Sequence, residues 1–134
     1  MTHITEIIVR PYECDSYSHV NNAVYLNYLE HCRMDFLHAI GFDYKTVVES
    51  GIFMYVTEIH IKYKGSAVLD DRLLVETTPI KLGKISGEFS QIIKRDDGLV
   101  CVEAIVKWAC VDSTTKRPTK MPEHFRVNGL EPEA

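Results

Sequence analysis

The sequence lacks any long run of apolar residues. No stretch approaches the roughly 20 apolar residues that a helix needs to cross a bilayer, so no membrane span is predicted. The first six residues contain neither a basic segment nor an apolar one, so no secretory signal is predicted and a cytoplasmic location is expected. Linkers rich in Pro, Gly or Ser are also missing, and residues 1–134 are therefore predicted to form a single domain.

An excess of positive charge is absent as well. The chain has 15 Lys and Arg residues against 19 Asp and Glu residues, a formal net charge of −4 at pH 7. Nucleic-acid-binding proteins carry a basic surface, so no nucleic-acid partner is expected. A local cluster of basic side chains could still hold a small anion. The hydrophobic content of 46% excludes intrinsic disorder.

Paired metal ligands are the third absence. The four cysteines form no C-x-x-C pair, and the six histidines show no H-E-x-x-H motif. Zinc sites in proteins typically use such closely spaced ligands, so no metal site is predicted. The simplest interpretation is that all four cysteines are reduced thiols.

One long helix is predicted over residues 22–40. Its apolar residues recur at intervals of three and four, as they do on the buried face of a helix. These residues are Tyr25, Tyr28, Leu29, Cys32, Phe36 and Ile40. Asn21 and Asn22 are candidate N-caps, and Gly41 is suited to the left-handed conformation that ends many helices. A short second helix is predicted at 43–49.

The remaining pattern is that of strands, at 4–10, 52–64, 73–82, 85–95 and 100–111. Asp97-Gly98 predicts a tight hairpin between the last two strands. In segment 52–64 the odd positions are apolar and are predicted to share one face: Phe53, Tyr55, Ile59, Ile61 and Tyr63. A meander of antiparallel strands needs a cover for its apolar face, and only the long helix can supply it. The prediction is an α+β fold of order β-α-β-β-β-β.

The loop before the helix is unusually rich in reactive side chains. It places Asp15 near a helix start whose first amides, at Asn22, Ala23 and Val24, are expected to be free. Free amides at the positive end of a helix can stabilise an oxygen that becomes negative, and the same field favours an ionised Asp15. Asp15 could then act as a nucleophile or a general base. The structural alternative is that Asp15 is a solvated loop residue and that Tyr25 belongs to the core.

The segment Y-E-C-D-S-Y-S-H-V-N-N-A-V-Y-L-N-Y-L-E resembles hotdog-fold acyl-CoA thioesterases of the 4-hydroxybenzoyl-CoA thioesterase type. The stretch H-V-N-N-x-x-Y is also similar to acyl carrier protein thioesterases. The resemblance extends over about residues 4–126. It implies a hotdog fold, in which the antiparallel sheet wraps around the long helix, and hydrolysis of acyl-CoA to a free acid and coenzyme A. It also implies a homodimer or homotetramer, with coenzyme A present only as part of the substrate.

The resemblance also implies roles for particular residues. Asp15 would attack the thioester carbonyl or activate water, and the backbone amide of Asn22 would polarise the carbonyl oxygen. His19 is a further candidate for positioning the substrate. The implied substrate-binding residues are Tyr25, Leu29 and Tyr55 in the acyl pocket, Thr57 on the strand that approaches the partner's site, and Lys84 and Arg117 near the coenzyme A phosphates.

Three alternatives remain open from the sequence. The substrate could be an acyl carrier protein thioester rather than an acyl-CoA. A dehydratase acting on 3-hydroxyacyl thioesters would use a His/Glu pair, for which His19 and Glu58 are available, but it would leave Asp15 without a role. A non-catalytic acyl-CoA-binding module could also be built on the same fold.

Overall fold

Five antiparallel strands and one long helix form the structure, a computed structural model that describes residues 2–133. The strands are β1 (His3–Ile8), β2 (Ile52–Tyr63), β3 (Arg72–Leu82), β4 (Ser86–Arg95) and β5 (Val100–Asp112). The helices are α1 (Asn22–Ala39) and α2 (Tyr44–Glu49), with single 3-10 turns at Pro11–Glu13 and Glu123–Phe125. The predicted α+β fold and its β-α-β-β-β-β order are confirmed. No helix within residues 2–133 is both long and apolar enough to cross a membrane.

The strand order in the sheet is β1-β3-β4-β5-β2. Only β3, β4 and β5 form a continuous meander, so including segment 52–64 in the meander was wrong. After β2, which pairs with β5, the chain crosses the end of the sheet to reach β3. Lys64 N donates to Cys101 O at the start of this crossing, and Asp70 N donates to Val9 O near its end. The crossing leaves β1 and β2 as the two edges.

Helix α1 begins at the predicted residue, Asn22, and ends at Ala39, one residue before the predicted end. The side chain of Asn21, the N-cap, accepts a hydrogen bond from Ala23 N at 2.9 Å. Gly41, with φ of +78°, lies just after the helix, where glycine adopts the left-handed conformation without steric cost. The helix lies over β1 and β3 and buries Leu29, Cys32 and Phe36 completely. Complete burial of a side chain as large as Leu or Phe contributes about 1.5–3 kcal/mol.

The predicted alternation fails in the first half of β2. Val56 pairs with Trp108 and Glu58 pairs with Lys107, so Thr57 is an extra residue that forms a bulge. A bulge reverses which face the following side chains occupy. Ile59, Ile61 and Tyr63 therefore share the helix-facing side with Met54 and Val56 rather than with the two aromatic residues before the bulge. Phe53 and Tyr55 lie on the outer face, and their prediction was wrong.

Gly87 on β4 provides a test of core packing. A Cβ atom at this position would overlap Cζ2 of Trp108 and would lie 2.9 Å from the carbonyl oxygen of Lys81. We expect Gly87→Ala to lower the free energy of unfolding by about 2 kcal/mol, because the buried indole must shift to accommodate the methyl group. Urea denaturation measures this change, with Gly83→Ala as the control, because a Cβ atom at Gly83 would lie 3.4 Å from the carbonyl oxygen of Ser86, an ordinary contact distance. Equal stability of Gly87→Ala and the wild type would contradict the predicted contact.

Candidate active site

Residues 13–21 form a small hairpin that carries Asp15, and we call this segment the Asp15 loop. At its base, Asn21 N donates to Glu13 O at 2.9 Å and Cys14 bridges Val20. Asp15 N donates to His19 O at 2.8 Å one step further along. Ser18 closes the turn with a φ of +67°, in the left-handed region. The loop therefore has a defined shape that fixes the backbone of Asp15.

The Asp15 side chain is half-buried, and its two oxygens differ. Oδ1 accepts hydrogen bonds from the backbone amides of Tyr17 at 2.9 Å and His19 at 3.3 Å. Oδ2 accepts no hydrogen bond from any residue in the described range 2–133. One oxygen is thus held by the loop, which orients the carboxyl group, and the other is available to a substrate or a water molecule.

The start of α1 offers one free amide rather than the three expected from the sequence. Ala23 N donates to the Asn21 side chain and Val24 N donates to Asn21 O, each at 2.9 Å. Their availability was wrongly predicted, because the N-cap residue satisfies both. The N–H of Asn22 has no acceptor among residues 2–133. It is the donor that the helix start leaves for an external oxygen.

Tyr25 and Leu29 are packed inside the chain. Tyr25 is only 4% exposed, and its hydroxyl oxygen accepts a hydrogen bond from Ala67 N at 3.1 Å. Burial raises the pKa of Tyr25 above its ordinary value. Leu29 has no exposed surface in this chain. Both residues belong to the buried core cluster, and their contact with a substrate stays a prediction.

His19 contributes to the site through its backbone. Its amide donates to Asp15 and its carbonyl accepts from Asp15, while the residue also bridges Val68 in the crossing segment. The side chain is exposed. The structure therefore shows how His19 helps to shape the Asp15 loop, whereas a role for its imidazole ring in positioning the substrate stays a prediction.

Tyr55 and Thr57 do not join the group around Asp15 within this chain. Tyr55 lies on the outer face of the sheet, with its ring centroid 5.8 Å from that of Phe53. Thr57 is exposed at the bulge, where its hydroxyl donates to Lys107 O at 3.3 Å. Neither faces the same space as the Asp15 loop of the same chain.

Lys84 and Arg117 are exposed at the opposite end of the sheet from the Asp15 loop. The Asp15 end of β5 is marked by Val102, which pairs with Tyr63, and the far end by Val111, which bridges Pro118. These two positions on β5 are about 30 Å apart at roughly 3.3 Å per residue. The two basic residues therefore cannot complete the Asp15 site of their own chain.

Two residues of the site have no assigned role in the sequence interpretation. The carboxyl group of Glu13 is buried, with the residue only 6% exposed, and it accepts a hydrogen bond from the hydroxyl of Tyr28 at 2.9 Å. Glu13 appears in the quoted motif, but nothing in the motif indicates that its side chain points inward. The available signal lies on the helix, where Tyr28, like Tyr25, places a hydroxyl on the buried face.

The arrangement supplies a carboxyl oxygen and a main-chain N–H donor. Among residues 2–133, no three or more His, Cys, Asp and Glu side chains are grouped so as to hold a metal ion. In such an arrangement the carboxyl group can attack a carbonyl carbon, and the N–H at the helix start can donate a hydrogen bond to the resulting oxyanion.

Comparison with known proteins gives a consistent result. A family model described as the thioesterase-like superfamily matches residues 9–128. The long-chain acyl-CoA thioesterase FadM of Escherichia coli is 36% identical over 124 residues, covering 91% of this chain and 92% of FadM. The chloroplastic acyl-acyl carrier protein thioesterase ATL2 of Arabidopsis thaliana is 31% identical, covering 92% of this chain and 66% of ATL2.

The fold also matches that of a solved thioesterase. The crystal structure of Slr0204, a 1,4-dihydroxy-2-naphthoyl-CoA thioesterase from Synechocystis, superposes with a TM-score of 0.89. The superposition covers 97% of this chain and 96% of that chain. Their sequence identity is 15%, so this similarity concerns the fold alone.

Proposed function

The chain belongs to the thioesterase-like superfamily and has its hotdog fold, and from this premise we propose that it hydrolyses acyl-CoA thioesters to a carboxylic acid and coenzyme A. The proposal is carried by two groups on one short loop and helix start, Asp15 Oδ2 and the Asn22 N–H, which have no hydrogen-bond partner within residues 2–133. The similarity to FadM over nearly the whole of both chains supports acyl-CoA as the substrate class.

Thioester chemistry suits this sparse set of groups. The thioester carbonyl lacks the resonance of an amide, and the departing thiolate is a weak base, so no strong acid is needed at the sulfur. Asp15 Oδ2 either attacks the carbonyl carbon or removes a proton from an attacking water. In both routes the carbonyl oxygen becomes negative, and in this proposal the Asn22 N–H donates a hydrogen bond to it.

The two routes differ in which bonds form. In the covalent route the Asp15 oxygen bonds to the acyl carbon as the C–S bond breaks, and water then cleaves the mixed anhydride. In the water route Asp15 takes a proton from water, the water oxygen bonds directly to the acyl carbon, and the C–S bond then breaks. The proton held by Asp15 passes to the departing coenzyme A thiolate. Both routes consume one water and release one acid and one thiol.

We also propose that the active protein is a homodimer formed through β2. Strand β2 is a sheet edge, and none of its twelve residues is fully buried. Antiparallel pairing of two β2 edges would protect the unpaired backbone groups. It would also bring the Lys84 and Arg117 end of one protomer beside the Asp15 loop of the other, because these features lie at opposite ends of the sheet. Thr57, near the middle of β2, would then lie at the interface.

Reversing the charge of Lys84 or Arg117 tests this arrangement. We expect Lys84→Glu and Arg117→Glu to raise KM for an acyl-CoA about three- to tenfold, because each removes a cation from near the nucleotide phosphates. The same acyl group on pantetheine, which lacks the nucleotide, should show an unchanged KM. Lys45→Glu, an equal change of charge at an exposed position on α2, is the control. An equal effect on both substrates would contradict a phosphate contact.

The direct test of the function is thiol release from a panel of acyl-CoA and acyl carrier protein thioesters. Release from acyl-CoA supports the proposal. The alternative of an acyl carrier protein donor is favoured by the similarity to ATL2, and preferential release from that donor would establish it. Binding of acyl-CoA without release from any donor would instead indicate a non-catalytic module.

We further propose that the protein acts in the cytoplasm, since its four cysteines are free thiols.

A further inference from the structure

The buried carboxyl group of Glu13 lies at the base of the Asp15 loop. Its Oε1 accepts two hydrogen bonds, from Arg10 N at 2.7 Å and from the Tyr28 hydroxyl at 2.9 Å. Its Oε2 lies 3.4 Å from Nη2 of Arg10. A buried carboxyl group is costly unless hydrogen bonds compensate it, so each of these donors matters.

The backbone of Glu13 continues this connection toward the site. The carbonyl of Glu13 accepts from Asn21 N, which joins the two ends of the Asp15 loop directly before the free Asn22 amide. One residue further along, Cys14 bridges Val20, and Asp15 follows. Only one residue separates Glu13 from Asp15, so a movement of the Glu13 backbone is expected to shift the Asp15 carboxyl group as well.

The Tyr28 hydroxyl is a dependable donor in this position. Tyr28 is 4% exposed, and burial together with the adjacent Glu13 raises its pKa. Its ring contacts that of Tyr25 edge-on, with centroids 6.2 Å apart. Tyr25 in turn accepts from Ala67 N, and Ala67 O accepts from Val20 N. Two tyrosines one turn apart on α1 thus hold both sides of the Asp15 loop.

We propose that Glu13 and Tyr28 are positioning residues of the hydrolytic reaction, which set the place of Asp15 relative to the Asn22 amide. This inference rests on the proposed function. Because the Tyr28 hydroxyl on α1 is hydrogen-bonded to Glu13 at the base of the Asp15 loop, the helix restrains the position of Asp15. Small displacements of a reacting group reduce the rate strongly, whereas substrate contacts elsewhere remain. The effect is therefore expected in kcat rather than in KM.

The test compares four variants. Tyr28→Phe removes only the hydroxyl, and Glu13→Ala removes the whole carboxyl group. Glu13→Gln retains an Oε1 that can accept from both Arg10 N and Tyr28, so it is the conservative variant. Val47→Ala truncates a fully buried residue of α2 in the other core cluster and controls for loss of stability. All are assayed at a temperature at which near-ultraviolet circular dichroism shows them folded.

We expect kcat to fall about tenfold in Tyr28→Phe and Glu13→Ala with KM within twofold of wild type, and Glu13→Gln to retain at least a third of the wild-type kcat. Hydrogen exchange gives a readout that does not depend on activity. The amides of Tyr17, His19 and Asn21 should exchange about tenfold faster in Tyr28→Phe than in the wild type. In Val47→Ala their exchange rates should equal those of the wild type. Glu13→Gln covers the case in which Glu13→Ala does not fold.

Wild-type kcat in Tyr28→Phe, or an equal loss of kcat in Val47→Ala, would overturn the positioning role while leaving the proposed function intact. Unchanged exchange at the three loop amides in Tyr28→Phe would overturn it as well. If the wild type releases no thiol from any donor, the proposed function fails instead. The exchange measurement then still decides whether Glu13 and Tyr28 hold the loop.

Discussion

Replacing Asp15 by asparagine is expected to lower kcat for acyl-CoA hydrolysis by about 10³-fold or more. The amide retains an oxygen that can accept from Tyr17 N and His19 N, so the loop keeps its shape. The nitrogen that replaces Oδ2 is neither a nucleophile nor a base for this reaction. Thiol release measures the loss of turnover, and calorimetry with the unhydrolysed acyl-CoA measures the binding affinity, which should stay within about threefold of wild type.

Asp43→Asn is the matched control for this variant. Asp43 also accepts a backbone hydrogen bond, from Thr46 N, but it caps α2 away from the Asp15 loop. We expect Asp43→Asn to change stability slightly and turnover not at all. Turnover of Asp15→Asn near the wild-type rate would remove Asp15 from the reaction. Loss of both turnover and the folded state would show that its main role is structural.

Local sequence signals account for most of the fold. Helix α1 was predictable because Asn21 and Gly41 mark its ends and the apolar residues between them recur at helical spacing. The β4–β5 hairpin was predictable because Asp97-Gly98 is a typical turn sequence, and Gly98 has the positive φ that such turns require. In each case the residues that determine the structure are close together in the sequence. The local preference for a helix or a turn can therefore be inferred from the sequence before any tertiary contact is known.

The errors arose where the structure depends on distant residues. Nothing near Thr57 indicates a bulge, because the bulge depends on the register of β2 against β5, fifty residues further along. The position of β2 beside β5 also depends on the crossing segment, which is anchored by Cys101 O. Phe53 and Tyr55 were consequently predicted on the wrong face of the sheet.

The candidate site also has parts that could be predicted from nearby residues and parts that could not. Asp15 and Asn22 could be chosen as candidates from the sequence, since a carboxyl group and a helix start only seven residues apart belong to one loop and the helix that follows it. The occupied state of the Ala23 and Val24 amides could not, because it depends on the conformation of Asn21. The contact between Glu13 and Tyr28 also required the structure, since it joins a loop to the second turn of the helix.

Asn22→Pro gives the second large effect, because it removes a single N–H donor from the chain. Asn22 is the first residue of α1, where proline is favoured and where the amide has no acceptor within the helix. The preceding residue, Asn21, has φ of −59° and ψ of 137°, a conformation that a following proline permits. We therefore expect a folded protein whose kcat is reduced about 10²- to 10³-fold, the cost of losing one oxyanion donor.

The comparison with Asn22→Ala separates the backbone from the side chain. Alanine retains the N–H and removes only the carboxamide, so its kcat should lie within about threefold of wild type. Both variants retain the carbonyl that accepts from the Tyr63 hydroxyl at 3.1 Å, so this contact to β2 is the same in each. Equal losses in the two variants would assign the effect to the side chain. Full activity of Asn22→Pro, with thermal unfolding near that of wild type, would mean that the negative oxygen is stabilised elsewhere and that the helix start is not the oxyanion site.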